Sequence, residues 1–157
     1  MLRIFDNFLD KSFLLFYGLA LIVAIIRYPK YFDTPLKYYP ILLMYTFLTE
    51  LLGYLINKNF ELNPVFFDMY ADNNVVFYNV YNFIFFIYFL YVYWSFEKTN
   101  SYKKHIIFLT IGFLAISILN VFLQKFLIKS QIYSYTFGGL ALIYCIFIFF
   151  KENNRIL

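Results

Sequence analysis

Between Asn74 and Glu97 the chain reads VVFYNVYNFIFFIYFLYVYWSF, without one charged side chain. As a helix, these about 22 residues would extend roughly 33 Å, close to the thickness of the hydrocarbon core of a bilayer. Such a segment is satisfied by lipid on all sides and by little else. Four further apolar stretches accompany it, so the expected spans are 13–26, 40–56, 75–96, 106–123 and 132–150. The fold class that follows is all-α, a polytopic membrane helix bundle of about five transmembrane helices in a single domain, 1–157.

Composition agrees with lipid as the solvent. The chain is 63% hydrophobic and 14% charged, with a mean hydropathy of +0.68. An average soluble domain carries roughly 25% charged residues. The 17 Tyr and 23 Phe could suggest stacking platforms for nucleic acid, but those need Lys and Arg interleaved with the rings, and here rings and charges are segregated. The net charge of +4 is spread over the connections, so no nucleic-acid partner is expected. Cys145 is the only cysteine and His105 the only histidine. An intrachain disulfide is excluded, and no metal or other cofactor is expected.

Along the chain, residues 1–11 place Leu2, Phe5, Phe8 and Leu9 at helical spacing, as in a short helix lying in the interface, ahead of a first span at 13–26. Pro29 and Pro35 mark a polar connection, and Pro40 suits the first turn of the second helix. Asn63 and Pro64 are expected to open a short surface helix, with Asn73 or Asn74 capping the central span after it. Lysine and arginine set the orientation. With the N-terminus outside, the inner side holds Arg27, Lys30, Lys37, Lys98, Lys103, Lys104, Lys151 and Arg155, against Arg3, Lys11, Lys58, Lys125 and Lys129 outside.

Chemistry in such a chain is sought among polar groups inside the spans. Glu50 is the one charged residue within any of them, and Thr46, Glu50, Gly53 and Asn57 share a helical face. Asn79 and Asn82 lie one turn apart in the third span. Thr110, Phe113, Ser117, Asn120 and Gln124 step by three and four residues along the fourth. By depth from the outer boundary, Glu50, Asn79 and Asn82 share a layer, joined at its rim by Asn120, Gln124, Tyr133, Tyr135 and Thr136. The candidate intramembrane site is thus Thr46, Glu50, Asn79, Asn82, Asn120 and Gln124, since polar side chains in hydrocarbon should point at one another. Glu50 has two readings: a neutral carboxyl group bonded to Asn82 or Asn120, or a proton- or cation-binding group in an outward cavity. No catalytic residue is identified; paired-histidine, phosphate-loop, dinucleotide and nucleophile-elbow motifs are all missing.

Thr49 and Glu50, the run Asp72, Asn73, Asn74, and Tyr78 and Asn79 opening an aromatic helix together resemble a pattern in small multispanning bacterial membrane proteins. The likeness covers the second and third spans and implies no activity. It implies a bacterial cytoplasmic membrane and, because such proteins often continue through further spans, a short or truncated member. The function expected is an interaction or sensing component, with the bilayer, a membrane protein or further copies of the chain as partners. The alternatives are an oligomeric pore or translocator of small solutes or ions, of the kind that serves antiviral systems as an accessory effector, and a lipid-modifying enzyme using Glu50.

Overall fold

The computed structural model describes the backbone of residues 2–58, 64–126 and 129–153, and the side chains of residues 12–52, 75–126 and 129–152. The chain is all-α: α1 (Leu2–Arg27), α2 (Tyr39–Lys58), α3 (Pro64–Phe96), α4 (Asn100–Leu123) and α5 (Ile132–Asn153). Four helices among the described residues are long and apolar enough to cross a membrane, in the segments Ser12–Lys30, Val75–Phe96, Asn100–Leu123 and Ile132–Glu152. The expected second span coincides with α2, whose side chains beyond residue 52 lie outside the described set.

Large apolar side chains cover the outside of these helices. Phe122 is 83% exposed and Phe108 76% exposed. Over an apolar 18-residue stretch of each of the three later segments, only 28%, 22% and 28% of the residues are buried, which is what a helix surrounded by lipid requires and a water-soluble core forbids. The protein is a membrane protein.

The backbone divides into two compact units, residues Met1–Tyr70 and Ala71–Leu157. In the first, α1 packs on α2, with Ala24 and Leu42 buried and the Phe47 ring 3.4 Å from the position a Cβ would take at Gly18. Two single-turn 3-10 helices, Tyr28–Lys30 and Pro35–Tyr38, join the pair, each carrying a proline in its first turn. The connection is closed by the Tyr31 hydroxyl, which donates to the Ala24 carbonyl, and by Thr34, which accepts from the Leu36 amide at 3.3 Å. The Tyr28 ring meets Tyr31 and Phe32 edge-on.

Two expected boundaries are absent. No break separates a surface helix at residues 1–11 from a span at 13–26, because α1 is continuous over 26 residues and its backbone runs helically through Asp10, Lys11 and Ser12. Likewise Pro64 opens a single helix of 33 residues. Asn73 and Asn74 lie in its interior rather than at a cap, since asparagine costs a helix only a fraction of a kcal/mol while a break would orphan several backbone groups. Asn63 itself lies outside the described residues.

In the second unit, α4 and α5 approach each other closely, and Phe86, Leu90, Ile106, Phe113, Ala141 and Cys145 form the buried cluster. The α3 helix joins through its aromatic rings. Phe86 contacts Phe113 and Tyr135, at 5.5 and 5.6 Å between centroids, and seats on Gly138, where a Cβ would lie 2.6 Å from its Cγ. Glycine is required there because the ring occupies the volume of the missing methyl group.

Candidate functional site

Rings that hold α3 off the other two helices leave room between them, and a cavity of about 310 Å³ lies there, at the end of the unit next to the α4–α5 connection. Val80, Phe83, Ile118 and Val121, all exposed, stand at its mouth on the outer surface of the bundle. Phe86, Phe113, Ser117 and Ser134, all buried, form its inner wall. Asn79, Asn82, Phe126, Gln131 and Tyr135 complete it. Among the described residues no charged side chain lines it.

Asn79 fixes the end wall. Buried in α3, its side-chain amide donates to the carbonyls of Phe126 at 2.7 Å and Lys129 at 3.0 Å, and its oxygen accepts from the Gln131 amide at 3.2 Å. One carboxamide therefore engages two carbonyls and one amide of the described part of the α4–α5 connection, backbone groups that lie outside the helices. Gln124 ties the same loop from the α4 side: its Oε1 accepts from the Ile132 amide at 3.1 Å, capping the first turn of α5, and its carbonyl accepts from Gln131 Nε2 at 3.2 Å. Asn120 donates through Nδ2 to Ser134 Oγ at 3.0 Å, joining α4 to α5.

Other polar atoms have no partner. Ser117 Oγ, Asn120 Oδ1 and Gln131 Oε1 are buried and make no hydrogen bond among the described residues. The bond available to a helical serine, to the carbonyl four residues back, is made by Thr110, whose hydroxyl reaches the Ile106 carbonyl at 2.8 Å, but not by Ser117. Asn82, half-buried on the wall, likewise makes no hydrogen bond to a described residue.

Of the six residues expected to form the site, Asn79, Asn82, Asn120 and Gln124 belong to the second unit; Asn79 and Asn82 line the cavity, and Asn120 stands behind it, bonded to the lining residue Ser134. Thr46 and Glu50 belong to the first unit. There Thr46 bonds its own helix, donating to the Leu42 carbonyl at 3.0 Å, as Thr49 does to Tyr45 at 2.9 Å. Glu50 is half-buried. Gly53 and Asn57 lie outside the described side chains. The opening of α5 departs from expectation: Tyr133 is 58% exposed and Thr136 is exposed, while Ser134 and Gln131, one turn apart, face the cavity. Their i, i+3 spacing was the signal in the sequence, masked by the more conspicuous tyrosines.

A second polar cluster, for which the sequence carries no motif, lies at the opposite end of the unit. Glu97, just beyond α3, is buried and accepts from the Thr99 amide at 2.9 Å. Its carboxyl group shares a hydrogen bond with Glu152 near the end of α5, and the Thr99 hydroxyl donates to Glu152 Oε1. Burial holds Glu97 above the ordinary carboxylic value of 4.5, and the hydrogen bond and charge of Glu152 act the same way, against the Thr99 and Lys98 amides. Nearby, Lys103 lies over the Trp94 ring at 5.4 Å, and the Tyr144 hydroxyl meets His105 Nδ1 at 3.2 Å. Among the described residues no three His, Cys, Asp or Glu side chains are placed to hold a metal ion.

No protein-family model, curated protein or solved structure matches this chain. The likeness seen around Thr49, Glu50 and Asn79 therefore rests on those residues alone.

Proposed function

We propose that the protein is an interaction or sensing component of a membrane, and that the cavity of its second unit is the element that does the sensing. One observation carries this reading: the polar stripe of α4 is turned into the unit, with Phe113 and Asn120 each 1% exposed and Ser117 8%. A water-filled pore built from copies of the chain needs that stripe on an outer face, so its burial favours binding over conduction. An enzyme reading needs a general acid or base beside the cavity, and among the described residues no Asp, Glu, His, Lys or Cys side chain lines it. In this reading the chain sits in a bacterial cytoplasmic membrane with its N-terminus outside, as the lysine and arginine distribution favours, and acts on a membrane protein or on further copies of itself.

Reconstitution into liposomes tests it. Vesicles carrying the protein should stay tight to ions and dye, and the protein should retain a specific membrane partner or self-associate. Leakage that Asn120→Leu abolishes would replace this reading with the pore.

A further inference from the structure

Resting on the sensing role of the cavity, we propose that its ligand is a neutral, hydroxyl-bearing lipid with one apolar chain. The volume, about 310 Å³, falls at the small end of ligand pockets. The walls are aromatic and aliphatic apart from a few polar groups, and the mouth between Val80, Phe83, Ile118 and Val121 opens on the outer, lipid-facing surface, so the ligand arrives from the bilayer.

The head is defined by what the wall leaves unpaired. Ser117 is more than nine-tenths buried, lines the cavity and has neither its proton nor its lone pairs engaged. Gln131 lines the same space, and its Oε1 is a buried acceptor with no partner among the described residues. A buried polar atom without a partner costs about 1–3 kcal/mol, and both are relieved by a group that donates and accepts. A hydroxyl does so. Asn82 offers a further carboxamide at the wall. A carboxylate or phosphate would enter a space with no cationic side chain among its described lining residues and lose its hydration uncompensated, and a plain hydrocarbon would leave both atoms unpaired. The hydroxyl is thus selected against its charged and apolar counterparts.

The test uses the full-length protein in phosphatidylcholine nanodiscs, with a diazirine-bearing long-chain alcohol as photoprobe and peptide mass spectrometry as readout. Label is expected on α4 around Ser117 to Val121, and dodecan-1-ol should displace it at concentrations roughly tenfold lower than dodecane or dodecanoate. Ser117→Ala should weaken the alcohol about threefold to tenfold and leave dodecane unchanged. Val121→Trp, which fills the space from its exposed mouth, should abolish labelling while melting with the wild type; Ile118→Trp replaces it should that protein fail to fold. Label spread evenly over exposed positions such as Phe108 and Phe122, equal displacement by dodecane, or stronger displacement by dodecanoate would each overturn the proposal. Failure here leaves tight liposomes tight, whereas leaky liposomes overturn the sensing role even if the cavity is labelled, so the two readings fail separately.

Discussion

Gly138→Ala is the sharpest probe of how the second unit is built. A methyl group at position 138 would lie 2.6–2.7 Å from Cγ, Cδ1 and Cδ2 of Phe86, whereas carbon atoms rest at about 3.5–4.0 Å, so the ring must retreat by roughly 1 Å. It has nowhere free to go, being 4% exposed and hemmed by Phe85, Phe113 and Tyr135 at centroid distances of 5.5 to 5.6 Å. Overpacking of this kind costs about 1–3 kcal/mol. Against it stands the helix preference of alanine over glycine, about 1 kcal/mol. The neighbouring Gly139 supplies the control: a Cβ there meets nothing within 4 Å, so Gly139→Ala carries the preference without the clash. Subtracting one variant from the other cancels the preference and leaves the overpacking alone. The expected result, from equilibrium unfolding in detergent followed by Trp94 and tyrosine fluorescence, is Gly138→Ala less stable than Gly139→Ala by about 1–3 kcal/mol. Equal stability within about 0.5 kcal/mol would refute the seating of Phe86 on Gly138.

Asn79→Leu should cost about 2–3 kcal/mol, from three lost hydrogen bonds to the loop, and limited proteolysis should show the 124–131 connection opening before the rest of the unit. Glu97 gives a pH dependence whose sign is fixed. The folded state holds its proton more tightly than the unfolded one, so its contribution to stability is full below about 4.5, the ordinary value, and declines as pH rises through the higher folded value. Melting curves from pH 4 to 8 should therefore fall with pH in the wild type and flatten in Glu97→Gln, which keeps the acceptor for the Thr99 amide and offers Glu152 a permanent donor. A cysteine placed at Asn63 in a Cys145→Ala background should be labelled by an impermeant reagent in intact cells; labelling only after the membrane is opened would invert the orientation.

The helices were legible in the sequence because lipid imposes a demand that composition alone meets: apolar runs such as 106–123 need only be long enough. Their ends were less so. Through residues 1–26 and 64–96 the expected interruptions rested on Asp10, Lys11, Asn73 and Asn74, polar residues that a continuing helix tolerates. The site was half legible. Asn79, Asn82 and Asn120 stood out because carboxamides in hydrocarbon require partners, but which partners depended on where a loop would run, and a loop's path has no periodicity to read. Gln131, in that connection, was hidden for that reason, and Ser134, in the first turn of α5, was masked by the tyrosines on either side of it. The pairing of Glu97 with Glu152 joins residues far apart in sequence, and each alone reads as an ordinary charge at a helix end.

Asn79 also has a consequence for how α3 finds its place. Helices in a bilayer gain little from hiding apolar surface, and apart from the seating of Phe86 on Gly138 the Phe, Tyr, Ile and Val surface of α3 does little to tell one offset along its neighbours from another. The three bonds from Asn79 to the loop act as an address in an otherwise repetitive text. They also define the one legible misprint. Asn82 is the next carboxamide along the helix, and presenting it to the loop in place of Asn79 would take a shift of roughly 4.5 Å along the axis together with a turn of about 60°, and would pull Phe86 off Gly138. The polar code of this helix thus admits two readings and no continuum between them.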